Sequence, residues 1–201
     1  MANKGRITTA EWLDYNEYLR LLDCLRKDKE YVWETYARLG FCTGCRITDV
    51  LGMKWKDVLG DMCIVKEKKT GKMRKINFSP SAQSRIHELY DLMGSPDPEL
   101  YVFKSSNHGK RDKCAPVHFT RQYVNVRFKE FKKAYGLRIG NFSSHTFRKT
   151  FGRYVYESTG RTEQSLILLN KIFKHSSIAV TKTYIGITED EVKSVFDSIV
   201  F

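Results

Sequence analysis

The stretch that decides the fold of the last third of the chain runs from Ser143 to Glu157 and has the sequence SSHTFRKTFGRYVYE. Ser143 and Ser144 are good helix N-caps, because a serine hydroxyl accepts a hydrogen bond from a free N–H group of the first turn. We therefore predict a helix from about His145 to Glu157. His145 and Arg148 are three residues apart, so a helix places both on one face. An imidazole and a guanidinium then point in the same direction.

Helical patterns flank this stretch on both sides. Apolar residues recur at three- and four-residue steps, which is the spacing of an amphipathic helix. Thr8 or Thr9, followed by Glu11, is a plausible N-cap for the first helix. A helix opened by Pro116 is predicted to bury Phe119, Tyr123, Val126, Phe128 and Phe131. The other predicted helices are Trp12–Leu25, Tyr31–Gly40, Arg46–Leu51, Ile86–Met93 after Pro80, Glu163–Phe173, Ser176–Tyr184 and Glu189–Val200.

The middle of the chain has a different pattern. Met62–Lys66 is strand-like, and Arg74–Phe78 alternates polar with apolar residues at period two. Lys69–Lys72 between them contains turn residues, so the two segments predict a β-hairpin with a lysine-rich tip. Residues 94–115 are interpreted as a loop with one short strand around Tyr101–Phe103. The predicted class is mainly α with a small antiparallel β-sheet (α+β).

Length alone predicts one domain or two small ones, and we expect a single domain over residues 1–201, with a core at about 8–188 and a C-terminal helix at 189–201. Thirty-five basic and twenty-three acidic residues give a net charge of +12. Such a surface attracts polyanions, since neutralising phosphates releases counterions. A basic protein without any nucleic-acid role has the same composition, so charge alone does not decide the function.

No apolar run approaches the length of a membrane span, and no signal peptide is recognisable, so we expect a cytoplasmic protein. Five cysteines are too scattered for a disulfide framework. Cys42 and Cys45 have C-x-x-C spacing, but no second pair completes a zinc site, and buried, inert thiols are the preferred interpretation. No acidic cluster indicates a two-metal nuclease, and neither a phosphate-binding P-loop nor an H-E-x-x-H motif occurs. We expect no cofactor and no metal.

Six residues stand out as chemical candidates, and they are dispersed along the chain. Arginine forks match phosphate oxygens, so two of them with a lysine and two histidines can form a cationic pocket for a phosphodiester. A tyrosine in that pocket is a nucleophile that can form a covalent phosphotyrosine. Because such an intermediate conserves the bond energy, religation needs no ATP. The candidates are Arg46, Lys69, His145, Arg148, His175 and Tyr184.

In order and spacing these motifs resemble the tyrosine recombinases, also called phage integrases, over about residues 8–188. The matching features are Thr43-Gly-Cys-Arg46, Lys69-Thr-Gly on the hairpin, His145-Thr-Phe-Arg148, His175, and Tyr184 nine residues later. The resemblance implies a metal- and ATP-independent enzyme that cleaves and rejoins double-stranded DNA through a 3′-phosphotyrosine. It also implies a homotetramer on paired sites and, as an open possibility, exchange of the C-terminal helix between protomers.

The resemblance also implies a role for each position. Arg46 and Arg148 would bind the scissile phosphate, and Lys69 would protonate the departing 5′ oxygen. His145 would accept the tyrosine proton, and His175 would hydrogen-bond a non-bridging oxygen. Asp49, three residues after the first arginine, would orient Arg46. Lys66, Lys68 and Lys72 remain alternatives to Lys69 as the general acid.

Three features depart from the family pattern. Phe173-Lys174 stands where Leu-Gly is common, and Lys149 follows Arg148 where many members have histidine. The separate N-terminal DNA-binding domain of typical integrases is expected to be absent. A type IB topoisomerase and a non-enzymatic DNA-binding regulator remain the alternative functions.

Overall fold

The computed structural model describes residues 10–69, 71–105, 117–187, 194 and 196–199. Within these ranges it is mostly helical with one two-stranded antiparallel sheet, which confirms the predicted fold class. The helices are α1 (Tyr15–Lys27), α2 (Tyr31–Thr43), α3 (Ile47–Val50), α4 (Trp55–Val58), α5 (Pro80–Leu92), α6 (Arg121–Ala134), α7 (Thr146–Ser158), α8 (Glu163–Phe173) and α9 (Ile178–Ile185). The strands are β1 (Met62–Lys66) and β2 (Met73–Asn77).

Side-chain caps determine where several helices begin. Asp14 caps α1 by accepting from the N–H of Asn16. The predicted caps Thr8 and Thr9 lie outside the described residues. Helix α7 begins where it was predicted, although His145 occupies its N-cap position without a side-chain capping bond.

Helix α6 departs from the prediction. Its N-cap is Thr120, whose hydroxyl accepts from the N–H of Tyr123, while Pro116 lies outside the described residues. The buried residues of α6 are Val124, Phe128 and Phe131, at i, i+4 and i+7, so Tyr123 and Val126 lie off this face and are exposed. The prediction that both are buried is wrong, whereas Phe128 is buried as expected.

The predicted hairpin is present, with β1 and β2 paired from Met62–Asn77 to Lys66–Met73. The Gly71 N–H donates to the Glu67 carbonyl at 2.8 Å, and the Glu67 N–H donates to the Lys72 carbonyl at 3.0 Å. The predicted strand at 101–103 is wrong, because only isolated bridges at residues 101 and 104 occur there. Helix α4, which was not predicted, is a single turn.

Two apolar clusters lie in the part of the chain that the structure describes. The larger one joins α1, α2, α5, α6 and the hairpin. The smaller one contains Leu166, Leu169, Phe173 and Ile185 from α8 and α9, which pack against α7. Gly152 lies at that contact, where an added Cβ would meet the Ile185 Cγ2 atom at 2.7 Å. This close approach fixes α9, and with it residue 184, against α7.

The cysteines agree with the preferred interpretation of the C-x-x-C pair. Cys45 and Cys63 are buried, and Cys42 is half-buried. Burial raises the pKa of the Cys42 thiol to about 12, and that of Cys63 to about 12 as well. Such thiols are poor nucleophiles and metal ligands. Cys114 lies outside the described residues.

Among the described helices, none is both long enough and apolar enough to cross a bilayer. Most of the predicted C-terminal helix at 189–201 lies outside the described residues. Of its apolar residues, Phe196 and Ile199 are described, and they are 68% and 55% exposed.

Candidate active site

Two arginines from distant parts of the chain converge on one oxygen atom. The Nη2 atom of Arg148 donates to the Phe173 carbonyl at 3.1 Å, and the Nη2 atom of Arg46 donates to the same oxygen at 3.3 Å. Arg148 also donates to the Gly44 carbonyl. Arg46 is the N-cap residue of α3, and Arg148 lies in the first turn of α7. The structure therefore brings together the two guanidiniums predicted from the sequence.

Tyr184 lies beside this pair, in α9. The Cζ atom of Arg148 is 5.9 Å from the centre of the tyrosine ring. The tyrosine hydroxyl is buried and has no hydrogen-bond partner of good geometry among the described residues. Burial raises the pKa of the Tyr184 phenol, and the positive charges of Arg148 and Arg46 oppose that shift without cancelling it. The nucleophile is therefore protonated and closed to solvent.

His175 packs against the nucleophile. Its ring centre is 4.9 Å from that of Tyr184, with the two planes at 70°. The Nδ1 atom shares a 3.1 Å hydrogen bond with the Thr181 hydroxyl. Burial lowers the pKa of His175 to about 4, with Arg148 and Arg46 acting in the same direction. A neutral imidazole with an unpartnered Nε2 atom, counted over the described residues, faces the site.

His145 lies at the start of α7, one turn before Arg148, as the sequence predicted. The residue is exposed at the surface, yet the protein around its ring removes enough water to lower its pKa. Arg148 and Lys149 lower the pKa further. His145 therefore belongs to the same electrostatic environment, although His175 is the histidine in ring contact with Tyr184.

Lys69 lies on the hairpin turn and is exposed. The turn is bound to the site through its neighbour, since the Lys68 N–H donates to the Asp49 carboxylate at 2.9 Å. Asp49 is 5% exposed. Among the described residues, the Asp49 carboxylate therefore bonds to the lysine turn and not to the Arg46 side chain, which it was predicted to orient. Another carboxylate pairs with Arg46.

That carboxylate belongs to Glu67, which the sequence analysis did not single out. Its Oε2 atom is 3.5 Å from Arg46 Nη1 and 3.1 Å from Lys174 Nζ. The Glu67 side chain is only 2% exposed. Residue 67 lies beside the lysine-rich tip, and its burial follows from its pairing with residues 46 and 174.

Two more cations lie at the site, and neither was among the site residues predicted from the sequence. Arg74 on β2 donates to the Thr43 carbonyl at 2.6 Å, beside Arg46. Lys149 is 5% exposed, and its Nζ atom lies 5.1 Å from the centre of the Tyr184 ring. Burial lowers the pKa of Lys149. Its position directly after Arg148 was the only signal available in the sequence.

The part of the chain that the structure describes contains no group of three or more His, Cys, Asp or Glu side chains placed to bind a metal ion. The side chains that surround Tyr184 are cationic and aromatic. Two guanidiniums, an ammonium and a neutral imidazole surround a phenol, which is an arrangement that can bind a phosphodiester and present a nucleophile to it.

Comparison with known proteins identifies the family to which the chain belongs. The profile of the phage integrase family matches residues 11–191. The probable integrase/recombinase YoeC of Bacillus subtilis is 31% identical over 185 residues, covering 89% of this chain and 93% of that protein. The tyrosine recombinase XerS of Streptococcus pyogenes is 25% identical over 207 residues, covering 95% of this chain and 53% of XerS. The chain belongs to the phage integrase family.

Solved structures share the fold. A crystal structure of the XerA recombinase superposes with a TM-score of 0.68 at 19% identity, covering 96% of this chain and 67% of that chain. A lambda integrase tetramer bound to a Holliday junction superposes with a TM-score of 0.62 at 19% identity, covering 92% of this chain and 50% of that one. The class predicted from the sequence, a catalytic domain of a site-specific tyrosine recombinase, is confirmed.

Proposed function

We propose that this chain cleaves and rejoins double-stranded DNA with Tyr184 as its nucleophile. The observation that carries the proposal is the convergence of Arg46 and Arg148 on the Phe173 carbonyl oxygen, beside the Tyr184 ring. A non-bridging phosphate oxygen carries more negative charge than a carbonyl oxygen. It therefore competes well for the same two donors. The +12 charge supports a polyanionic substrate.

The reaction consists of two transesterifications. The Tyr184 oxygen attacks phosphorus, the bond to the 5′ oxygen breaks, and a 3′-phosphotyrosine and a 5′-hydroxyl result. Rejoining reverses these steps with a different 5′-hydroxyl, so the number of phosphoester bonds is conserved and neither ATP nor a metal enters. Arg46 and Arg148 stabilise the charge on the five-coordinate phosphorus, an effect worth about 10² to 10³ in rate for each contact of this kind.

Proton transfers are assigned to the remaining candidates. His145 accepts the Tyr184 proton, and Lys69 donates a proton to the leaving 5′ oxygen. His175 donates a hydrogen bond to a non-bridging oxygen, which its neutral ring and unpartnered Nε2 support among the described residues. Asp49 fixes the lysine turn through the Lys68 N–H. Because the Tyr184 hydroxyl is buried, DNA binding has to shift α9 or turn the ring before attack.

Assembly and location are also part of the proposal. Relatives of the same fold have been solved as a lambda integrase dimer and as a tetramer on DNA. We propose a homotetramer on paired sites, with exposed Phe196 and Ile199 contributing to exchange of the C-terminal helix between protomers. Action in the cytoplasm remains a prediction.

Covalent capture on nicked DNA tests the catalytic proposal. A nick a few nucleotides 3′ of the cleavage point lets the 5′-hydroxyl fragment diffuse away, so the phosphotyrosine is trapped. A library of nicked duplexes with random sequence supplies the substrate, because sequencing the trapped DNA then identifies the site. We expect a detergent-resistant adduct from the wild type and none from Tyr184→Phe.

Tyr184→Phe is a clean control. The hydroxyl makes no hydrogen bond of good geometry among the described residues, and the variant keeps the ring that contacts Phe173 and His175. Its unfolding temperature should therefore match that of the wild type. No adduct with the wild type, together with tight DNA binding, would indicate a DNA-binding regulator. Relaxation of supercoiled plasmid without strand exchange would indicate a topoisomerase.

A further inference from the structure

Glu67 is a buried carboxylate at the junction of three site segments. It directly precedes the turn that contains Lys69, and its own backbone closes that turn through the bonds with Gly71 and Lys72. Its Oε2 atom lies within ion-pair distance of both Arg46 and Lys174. Glu67 therefore joins the hairpin, the first arginine and the segment that precedes His175.

Lys174, one of the partners of Glu67, has a strained backbone conformation. The residue follows the last turn of α8 with φ 53° and ψ 48°, the left-handed conformation in which a side chain is strained and glycine is favoured. A lysine at such a position suggests a compensating interaction. The Nζ atom is buried and makes no hydrogen bond of good geometry among the described residues, so the Glu67 carboxylate at 3.1 Å compensates its charge as an ion pair. The backbone strain is thus associated with the ion pair.

The position of Lys174 matters for both arginines. Its left-handed turn ends α8 at Phe173 and leaves the Phe173 carbonyl free of the helix. That carbonyl is the oxygen on which Arg46 and Arg148 converge. A contact that fixes Lys174 therefore also fixes the acceptor of both guanidiniums.

We infer that Glu67 is a positioning residue of the phosphate site, which fixes Arg46 directly and the Phe173–Lys174 turn through Lys174. The inference rests on the proposed function, since it concerns the same anion site. Glu67 itself contacts no substrate. A displacement of a catalytic group by about 1 Å can cost about a hundredfold in rate. The rate gained by fixing the position of Arg46 can therefore outweigh the cost of burying the Glu67 carboxylate.

Electrostatics and positioning predict opposite results for Glu67→Gln. A carboxylate near an anion site repels the anion, so its removal alone tightens phosphate binding. If Glu67 positions Arg46, its removal loosens the site and weakens phosphate binding despite the added positive charge. The two explanations can be separated with inorganic phosphate as the probe, without knowledge of the DNA target.

The measurement is the rise in unfolding temperature with inorganic phosphate, relative to chloride at equal ionic strength. Phosphate binding at the site is measured by the part of that rise that is lost in Arg148→Ala. In Glu67→Gln we expect the dissociation constant of phosphate at this site to rise by about tenfold or more. A factor of this size corresponds to the loss of one charge-assisted hydrogen bond. Glu67→Asp, which retains the charge but withdraws it by one methylene, should also weaken binding. This variant preserves the test if the Gln variant does not fold.

Glu34→Gln is the matched control. Glu34 is also a fully buried carboxylate with two basic partners, Arg26 at 2.7 Å and Arg38 at 2.8 Å, and it lies in α2 outside the site. Its substitution adds the same charge and also breaks a buried ion-pair network. We expect it to lower the unfolding temperature without changing the phosphate constant.

The outcomes separate the two proposals. Phosphate affinity that is unchanged or tighter in Glu67→Gln overturns the role of Glu67 and leaves the catalytic proposal intact. A wild type without any Arg148-dependent rise overturns the anion site itself, and the role of Glu67 with it. Weaker binding in both Glu67 variants, but not in Glu34→Gln, supports the inference.

Discussion

Substituting Gly152 by alanine tests whether the contact between α7 and α9 positions the nucleophile. An alanine in a helix interior normally stabilises by about 1 kcal/mol relative to glycine. Here the new Cβ would lie 2.7 Å from Ile185 Cγ2 and 2.8 Å from the Phe173 ring. Reaching the 3.4 Å of an ordinary contact requires α9 to move away from α7 by about 0.7 Å.

The energetic and catalytic consequences differ in size. Overpacking costs about 1–3 kcal/mol, which more than offsets the gain in helix propensity and leaves a net loss of up to about 2 kcal/mol. At about 2–4 °C per kcal/mol, the unfolding temperature falls by up to about 8 °C. Because Tyr184 precedes Ile185 in α9, the same movement displaces the nucleophile. Covalent capture should slow by about tenfold to a hundredfold.

Two measurements check this prediction. Circular dichroism gives the unfolding temperature, and capture rates are measured on the DNA site recovered from the nicked library, at a temperature where both proteins are folded. Adding Ile185→Ala removes the Cγ2 atom, so it should restore part of the capture rate. A Gly152→Ala protein that is more stable than the wild type and equally fast would refute the argument.

Two further predictions concern charges around the Tyr184 ring. The pKa of His175 is lowered to about 4 in the folded state, against about 6.5 when unfolded, so unfolding takes up a proton between these values. The free energy of unfolding should therefore decrease as pH falls from about 6.5 to 4, and His175→Gln should remove that part of the pH dependence in chemical denaturation. Lys149→Met removes a cation–π contact with Tyr184 that stabilises the fold by about 0.5–2 kcal/mol. The same substitution also removes the unfavourable desolvation of a buried ammonium group, which acts in the opposite direction. We expect stability within about 1 kcal/mol of the wild type and slower capture. An unchanged capture rate would mean that Lys149 does not position the ring.

The order of motifs in the sequence predicts the convergence of Arg46, Arg148, His175 and Tyr184, because each lies in a local pattern with a recognisable helix or cap. The start of α6 was not predictable from Pro116, since the Thr120 hydroxyl caps the helix four residues later. Glu67 was missed for a related reason. Alternation and turn signals describe a hairpin tip as solvated, whereas the burial of residue 67 depends on partners 21 and 107 positions away.

The anchoring of the two arginines has a common physical origin. Helix α2 is followed by its C-cap residue Gly44 with φ 54°, and α8 by its C-cap residue Lys174 with φ 53°, so a left-handed residue terminates both helices. Such endings leave carbonyl groups unpaired, and a helix C-terminus carries partial negative charge. Arg148 bonds to carbonyls at both ends, and Arg46 shares one of them. Partial charges thus compensate the burial of the guanidiniums before DNA binds, and they are weak enough for a phosphate to replace. Pairing Arg148 with a full carboxylate would instead create a competitor for the phosphate, whereas Glu67 contacts Arg46 through Nη1 and the Nη2 atom of Arg46 bonds to the Phe173 carbonyl.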